Sequence, residues 1–136
     1  MTNDGITHAG AEGVYSLEFS PTDEYYLALY TDQARLDENT PTYVSAGEAK
    51  GQGYTAGGKF LGAPKIVRDG KCIVWDWDDP LWENSSIEAC CGLIWNKTRN
   101  RSLAVFSFEP KLSRNGRFRV AMPPPTSQEG VVRFYY

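Results

Sequence analysis

Histidine is nearly missing from this chain: His8 is the single one among 136 residues, beside three cysteines and two methionines. With no Ser or Cys credibly paired to it, His8 offers no nucleophile–base couple. A zinc centre needs paired Cys or His at ligand spacing and a fourth ligand, which one histidine and a Cys90–Cys91 doublet do not supply. No apolar run approaches the ~20 residues that span a bilayer. The start, MTNDGITHAGAEG, has neither the positive charge nor the apolar stretch of a secretory signal. We therefore expect a soluble protein made in the cytoplasm, with no membrane partner. Acidic residues (17) outnumber basic ones (14), and the formal charge of −3 is spread along the chain. A dedicated nucleic-acid binder would show a clustered basic face, so no direct nucleic-acid contact is expected. Also missing is any apolar i, i+3, i+4, i+7 pattern kept for three turns, which argues against a helical architecture.

What the chain does have is short runs of aromatic and β-branched residues separated by Gly, Pro, Asn, Asp and Ser, the pattern of strands and turns. EYYLALY sets Tyr25, Leu27 and Leu29 against Tyr26, Ala28 and Tyr30. Both faces are apolar, as in a strand buried on both sides or one with a face in a subunit contact. Further strands are expected near residues 43–46, at 59–67 with an interruption around Gly62 and Pro64, and in KCIVWDW. In SIEACCGLIWN strict alternation sends Ile87, Ala89, Cys91, Leu93 and Trp95 inward. SLAVFSF groups Ala104, Phe106 and Phe108; GRFRVAM groups Phe118, Val120 and Met122; and GVVRFYY groups Val132, Phe134 and Tyr136. A short helical turn with Thr31 and Asp32 as caps is expected over 31–36, and MPPPTSQEG reads as a stiff polyproline-like connection. The expected fold is all-β: one antiparallel β-sandwich, jelly-roll-like, or a barrel of about eight strands. Residues 1–22, poor in large apolar side chains apart from Val14, Tyr15, Leu17 and Phe19, read as an extended N-terminal arm, and 23–136 as the sandwich domain.

Four stretches invite a chemical reading. GQGYTAGG carries Gly51, Gly53, Gly57 and Gly58, but it opens onto KFLGAP, which no helix tolerates. It is therefore a bend needing positive φ rather than a phosphate loop. In WDWDDPLWE, Asp76, Asp78, Asp79 and Glu83 could coordinate calcium or serve as a glycosidase pair, although Asp directly before Pro80 is common turn chemistry. Trp75, Trp77, Trp82 and Trp95 are core or interface mass, with a sugar-stacking platform as the alternative. NKTRNR reads as a solvated hairpin loop or an anionic contact, and Asn84 and Asn96 match the glycosylation pattern, which means little without a signal peptide. Cys72, Cys90 and Cys91 read as buried free thiols; adjacent strand residues face opposite ways, so Cys90 and Cys91 are not expected to bond each other. A bridge from Cys72 to one of them, or between copies, is the other option.

Taken together, YLALYT, GEAKGQGYTAGG, DWDDPLW, IEACCGLIWN and the GRFRVAMP stretch resemble a family of small virion structural proteins encoded by tailed bacteriophages and prophages. The recurring pattern there is an LYT-like start, a GE…G.GYTAGG segment, a D..DP.W segment and an A.IYN strand, in fixed order over roughly Tyr25 to Phe134. This chain departs from it at Trp95, where the family often has Tyr, at Cys90 and Cys91, and in a longer N-terminal segment. The resemblance implies a particle component with no catalytic, cofactor or metal residues to carry over. It also implies a homo-oligomer, trimeric or of higher cyclic order, that docks on other virion proteins such as major capsid or collar proteins. Capsid decoration or a minor head position is the first expectation. A collar, neck or tail-fibre-base position, or a carbohydrate-binding module at a fibre, is the alternative.

Overall fold

The computed structural model describes residues 5–16 and 18–135. Leu17 and Tyr136, and the side chains of Tyr15 and Tyr135, to which the sequence pattern gave apolar roles, lie outside the described residues. The chain runs β1 (Gly5–Ile6), α1 (His8–Tyr15), β2 (Tyr25–Tyr30), β3 (Lys59–Phe60), β4 (Lys65–Asp69), β5 (Cys72–Asp76), β6 (Leu81–Ser85), β7 (Glu88–Asn96), β8 (Arg101–Leu112), β9 (Gly116–Arg119) and β10 (Val132–Tyr135). All strand pairings are antiparallel, in a five-stranded sheet β1-β8-β7-β2-β3, a three-stranded sheet β10-β5-β4 and a two-stranded sheet β6-β9. The all-β, sandwich-like expectation holds, with ten described strands in open sheets and no closed barrel among them.

The five-stranded sheet is apolar on both faces. One face, carrying Tyr25, Leu27, Leu29, Ile94, Ala104 and Phe106, packs against Trp75, Trp82, Phe118 and Val132 of the two smaller sheets. The other, carrying Ala28, Tyr30, Leu93, Trp95 and Val105, is covered by Ala34, Leu36, Tyr43 and Val44 from the long β2–β3 connection. β2 is thus buried on both sides, the first of the two options its alternation leaves open. Phe118, Val120 and Met122 are buried while Arg117, Arg119 and Ala121 are exposed, as the alternation requires.

Three expectations need correction. First, the described N-terminal residues are not an arm. β1 pairs with β8, and the β/extended Thr7 caps α1 by accepting from Gly10 N–H at 3.0 Å. The helix lies so close to β8 that a Cβ on Gly10 would sit 2.3 Å from the Leu103 carbonyl oxygen. The glycine that weakens the helical signal is the one that permits this packing. Second, residues 43–46 form no strand; the segment is held on β2 by the Tyr30–Glu48 bridge and by the Tyr30 hydroxyl donating to Val44 O at 2.6 Å. The 31–36 segment likewise forms only a turn, closed by Ala34 N–H to Thr31 O at 3.1 Å. Third, residues 81–85, for which the sequence pattern predicts no strand, form β6 and pair with β9. The 59–67 strand does break at Gly62–Pro64, and its halves join different sheets.

The alternation of β7 also slips. Ile87, Ala89, Ile94 and the space above Gly92 belong to the cluster facing the small sheets, whereas Cys91, Leu93 and Trp95 belong to the other. Strict alternation cannot place Ala89 and Cys91 on opposite faces. The pairs Ala89–Lys111 and Cys91–Ser107 leave residues 108–110 of β8 opposite Cys90 alone. Pro110, which has no N–H to give the ladder, sits in that bulge.

Candidate functional site

The glycine-rich segment is built around Glu48. This carboxylate is buried and accepts hydrogen bonds from the hydroxyls of Tyr43 (2.5 Å) and Tyr54 (2.6 Å) and from Gly57 N–H (2.8 Å). Tyr54 Oη in turn accepts from Leu29 N–H at 3.0 Å, and Trp95 Nε1 donates to Gly57 O at 2.9 Å. Burial first, and then the Glu48 contact, push the Tyr43 phenol up to about 12 and raise Tyr54 in the same way. Both phenols therefore remain donors at neutral pH, which is what a buried carboxylate needs. Gly51, Gly53, Gly57 and Gly58 all have positive φ, as expected of a bend. At Gly58 a Cβ would lie 1.8 Å from the Leu27 carbonyl oxygen, so the segment is seated directly on β2. Residue reading foresaw the bend but missed the Glu48 network. No local pattern marks it, because Tyr43, Glu48, Tyr54 and Gly57 follow no regular spacing along the chain.

The acids of WDWDDPLWE do not converge. Asp78 pairs with Lys65 at 2.5 Å, Asp79 with Arg119, and Glu83 with Arg117 at 3.7 Å. Asp79 also accepts from Met122 N–H at 2.7 Å, pinning the chain beyond β9 to the turn before β6. Asp76 is half-buried, and that burial raises its carboxyl above the usual range. Among the described residues no group of three or more His, Cys, Asp or Glu is placed to hold a metal ion. Asp78, Asp79 and Glu83 are thus engaged in ion pairs, and Asp76 ends β5.

All four tryptophans are buried, at 2–7% exposure, which removes the stacking-platform reading of Trp75, Trp77 and Trp82. Tyr25 meets Trp75 and Trp77 with ring centroids 5.9 and 5.7 Å apart, Trp82 meets Phe118 at 6.2 Å, and Trp95 stacks on Tyr43 at 4.9 Å. The NKTRNR stretch is the β7–β8 turn, and its cations are engaged within the chain. Arg99 reaches Asp23 at 3.4 Å, Arg101 reaches Glu18 at 2.9 Å, and Lys97 lies over the Tyr26 ring at 4.7 Å. Asn96 is buried with its amide on Asp23 at 2.9 Å, whereas Asn84 is exposed. His8 is exposed at the first turn of α1. Cys72, Cys90 and Cys91 are free thiols, the first and last buried and Cys90 half-buried.

Among the described residues, Phe60, Ile66 and Leu112 are the large apolar side chains left exposed. Phe60 on β3 is 53% exposed and Ile66 on β4 is 51% exposed. These two strands close the outer edges of the five- and three-stranded sheets. Leu112, ending β8, is 56% exposed. Against this geometry, no family model, curated protein or solved structure matches the chain. No helix among the described residues is long and apolar enough to cross a membrane.

Proposed function

We propose that this protein is a non-enzymatic structural component of a tailed-phage particle. It assembles with copies of itself, as a trimer or higher cyclic form, and docks on other virion proteins as a capsid decoration or minor head protein. The likeness of its motifs to that family supplies the class. The observation that carries the reading is the 59–69 ribbon: it forms the outer strand of two sheets, with Phe60 and Ile66 half exposed and the outward backbone edge unpaired among the described strands. Unprotected edges are templates for further pairing, and exposed apolar surface marks contacts. The motif residues support the reading from the other side, since Glu48, Tyr54, Gly57, Gly58, Asp79 and Trp82 are all engaged in holding backbone or filling core.

The test is co-sedimentation with purified particles, quantified by mass spectrometry. A stoichiometric copy number is expected, and absence from the particle overturns the proposal. Light scattering on the isolated protein should show an oligomer that Phe60→Glu with Ile66→Glu dissociates while the circular dichroism spectrum stays unchanged. A map of the particle then distinguishes head from collar, neck or fibre base.

A further inference from the structure

The cysteine doublet has an environment that strand alternation hides. Because β7 slips at the Pro110 bulge, Cys90 and Cys91 do not point to opposite faces: Cys91 belongs to the cluster under the β2–β3 connection, and Cys90 packs against that same cluster. Cys91 Sγ lies 3.8 Å from the carbonyl oxygens of Tyr30 and Thr31. Cys90 lines a cavity of about 300 Å³ together with Thr31, Asp32, Gln33, Glu88 and Pro110. Burial, followed by the neighbouring Cys90 thiol, pushes the Cys91 thiol up to about 12. Two adjacent thiols therefore share one face, one at the wall of a cleft and one just behind it.

We propose that Cys90 and Cys91 form a two-thiol chelating site for a soft, thiophilic centre, with a monosubstituted trivalent arsenical as the matching ligand class and its organic group seated in the cleft. Soft thiol ligands select soft centres. Among the described residues fewer than three ligating side chains converge here, which is short of the four that a tetrahedral zinc site takes. A direct disulfide within the doublet would need an S–S bond of about 2.05 Å, closing a tight ring across a trans peptide that resists twisting. A bridging atom lengthens that ring and leaves the strand intact. The step is balanced: two S–H bonds and the arsenic–oxygen bonds break, two arsenic–sulfur bonds form, and one water leaves with both protons. Arsenic stays trivalent, so no oxidant or reductant is involved.

The probe is phenylarsine oxide on the folded full-length chain, followed by intact mass spectrometry. One phenylarsenic group per chain is expected, retained against excess glutathione and removed by a dithiol. Cys90→Ser and Cys91→Ser should each lose it, and Cys72→Ser should keep it. Because Cys91 is buried, circular dichroism accompanies each variant, and the half-buried Cys90→Ser decides if Cys91→Ser fails to fold. Stripping by glutathione, labelling that survives in Cys90→Ser, or a folded wild-type chain that takes no arsenical each overturns the proposal.

Discussion

Gly58→Ala should be among the most damaging single-methyl additions in this protein. At φ +90° an L side chain is strained, at a cost of about 1–2 kcal/mol. The added methyl would also sit 1.8 Å from Leu27 O and 2.4 Å from Leu27 C. That obstacle is backbone, so β2 and β3 must part or the 51–58 segment must lift, and overpacking of this kind costs about 1–3 kcal/mol more. Alanine recovers about 0.4–1 kcal/mol by stiffening the unfolded chain, leaving a net loss of about 1–4.5 kcal/mol. Gly62 is the control, because its φ of +83° is similar but nothing lies within 4 Å of its added Cβ. Gly62→Ala should therefore cost about 1.5 kcal/mol or less by the same strain and entropy contributions. Urea unfolding followed by the buried tryptophans reads both. With a slope of about 2 kcal/mol per molar, the Gly58 variant should lose roughly 0.5–2.2 M in midpoint and the Gly62 variant less than that, no more than about 0.8 M. Equal midpoints for the two variants would refute the reasoning, because they would mean that the seating of this bend on β2 carries no energy.

Other expectations follow from the same geometry. Glu48→Gln removes the charge shared by Tyr43, Tyr54 and Gly57 and turns an amide N–H₂ toward one of these donors; it should cost about 1.5–3 kcal/mol in chemical denaturation, and a change within error would remove the network from the stability argument. Burial would raise the Asp23 carboxyl, but hydrogen bonds from Asn96, Ser20 N–H and Arg99 outweigh it and hold the group below its usual range. A carboxyl lowered on folding stabilises the native state above its ordinary value near ~3.9 and loses that contribution as pH falls through the native one. Urea midpoints measured from pH 5 downward should thus fall more steeply for wild type than for Asp23→Asn, and parallel curves would contradict this.

Much of the fold was legible because two-residue periodicity survives wherever a strand is regular. Phe118, Val120 and Met122 face the core as their spacing says, and β2 announces its double burial by having no polar face. Legibility ended where tertiary contact overrides local pattern. α1 contains two glycines and satisfies no helical template; it exists because β8 receives it at Leu103 and Thr7 caps it. Residues 43–46 look like a strand, but Tyr43 and Val44 serve instead as a lid on the outer face of the large sheet. β7 was assigned a single inward row, and the Pro110 bulge in its neighbour split that row between two cores. At the candidate sites, the four tryptophans lie in the core that their bulk and apolarity predict, while Asp78 and Asp79 sit in the irregular β5–β6 connection and are held by ion pairs. The Glu48 network was invisible because its partners meet only after the bend closes.

A sheet that walls two separate apolar clusters has a dynamic consequence. Wetting either side strips support from β2 and β7 and thereby undermines the other side, so the halves cannot melt independently. The amides of Leu27, Leu29, Leu93 and Ile94 should be the slowest in the molecule to exchange with deuterium, giving way only when the whole domain opens. The outer ribbon is free to breathe long before that, and a partner arriving there would meet a yielding rim on an unyielding centre.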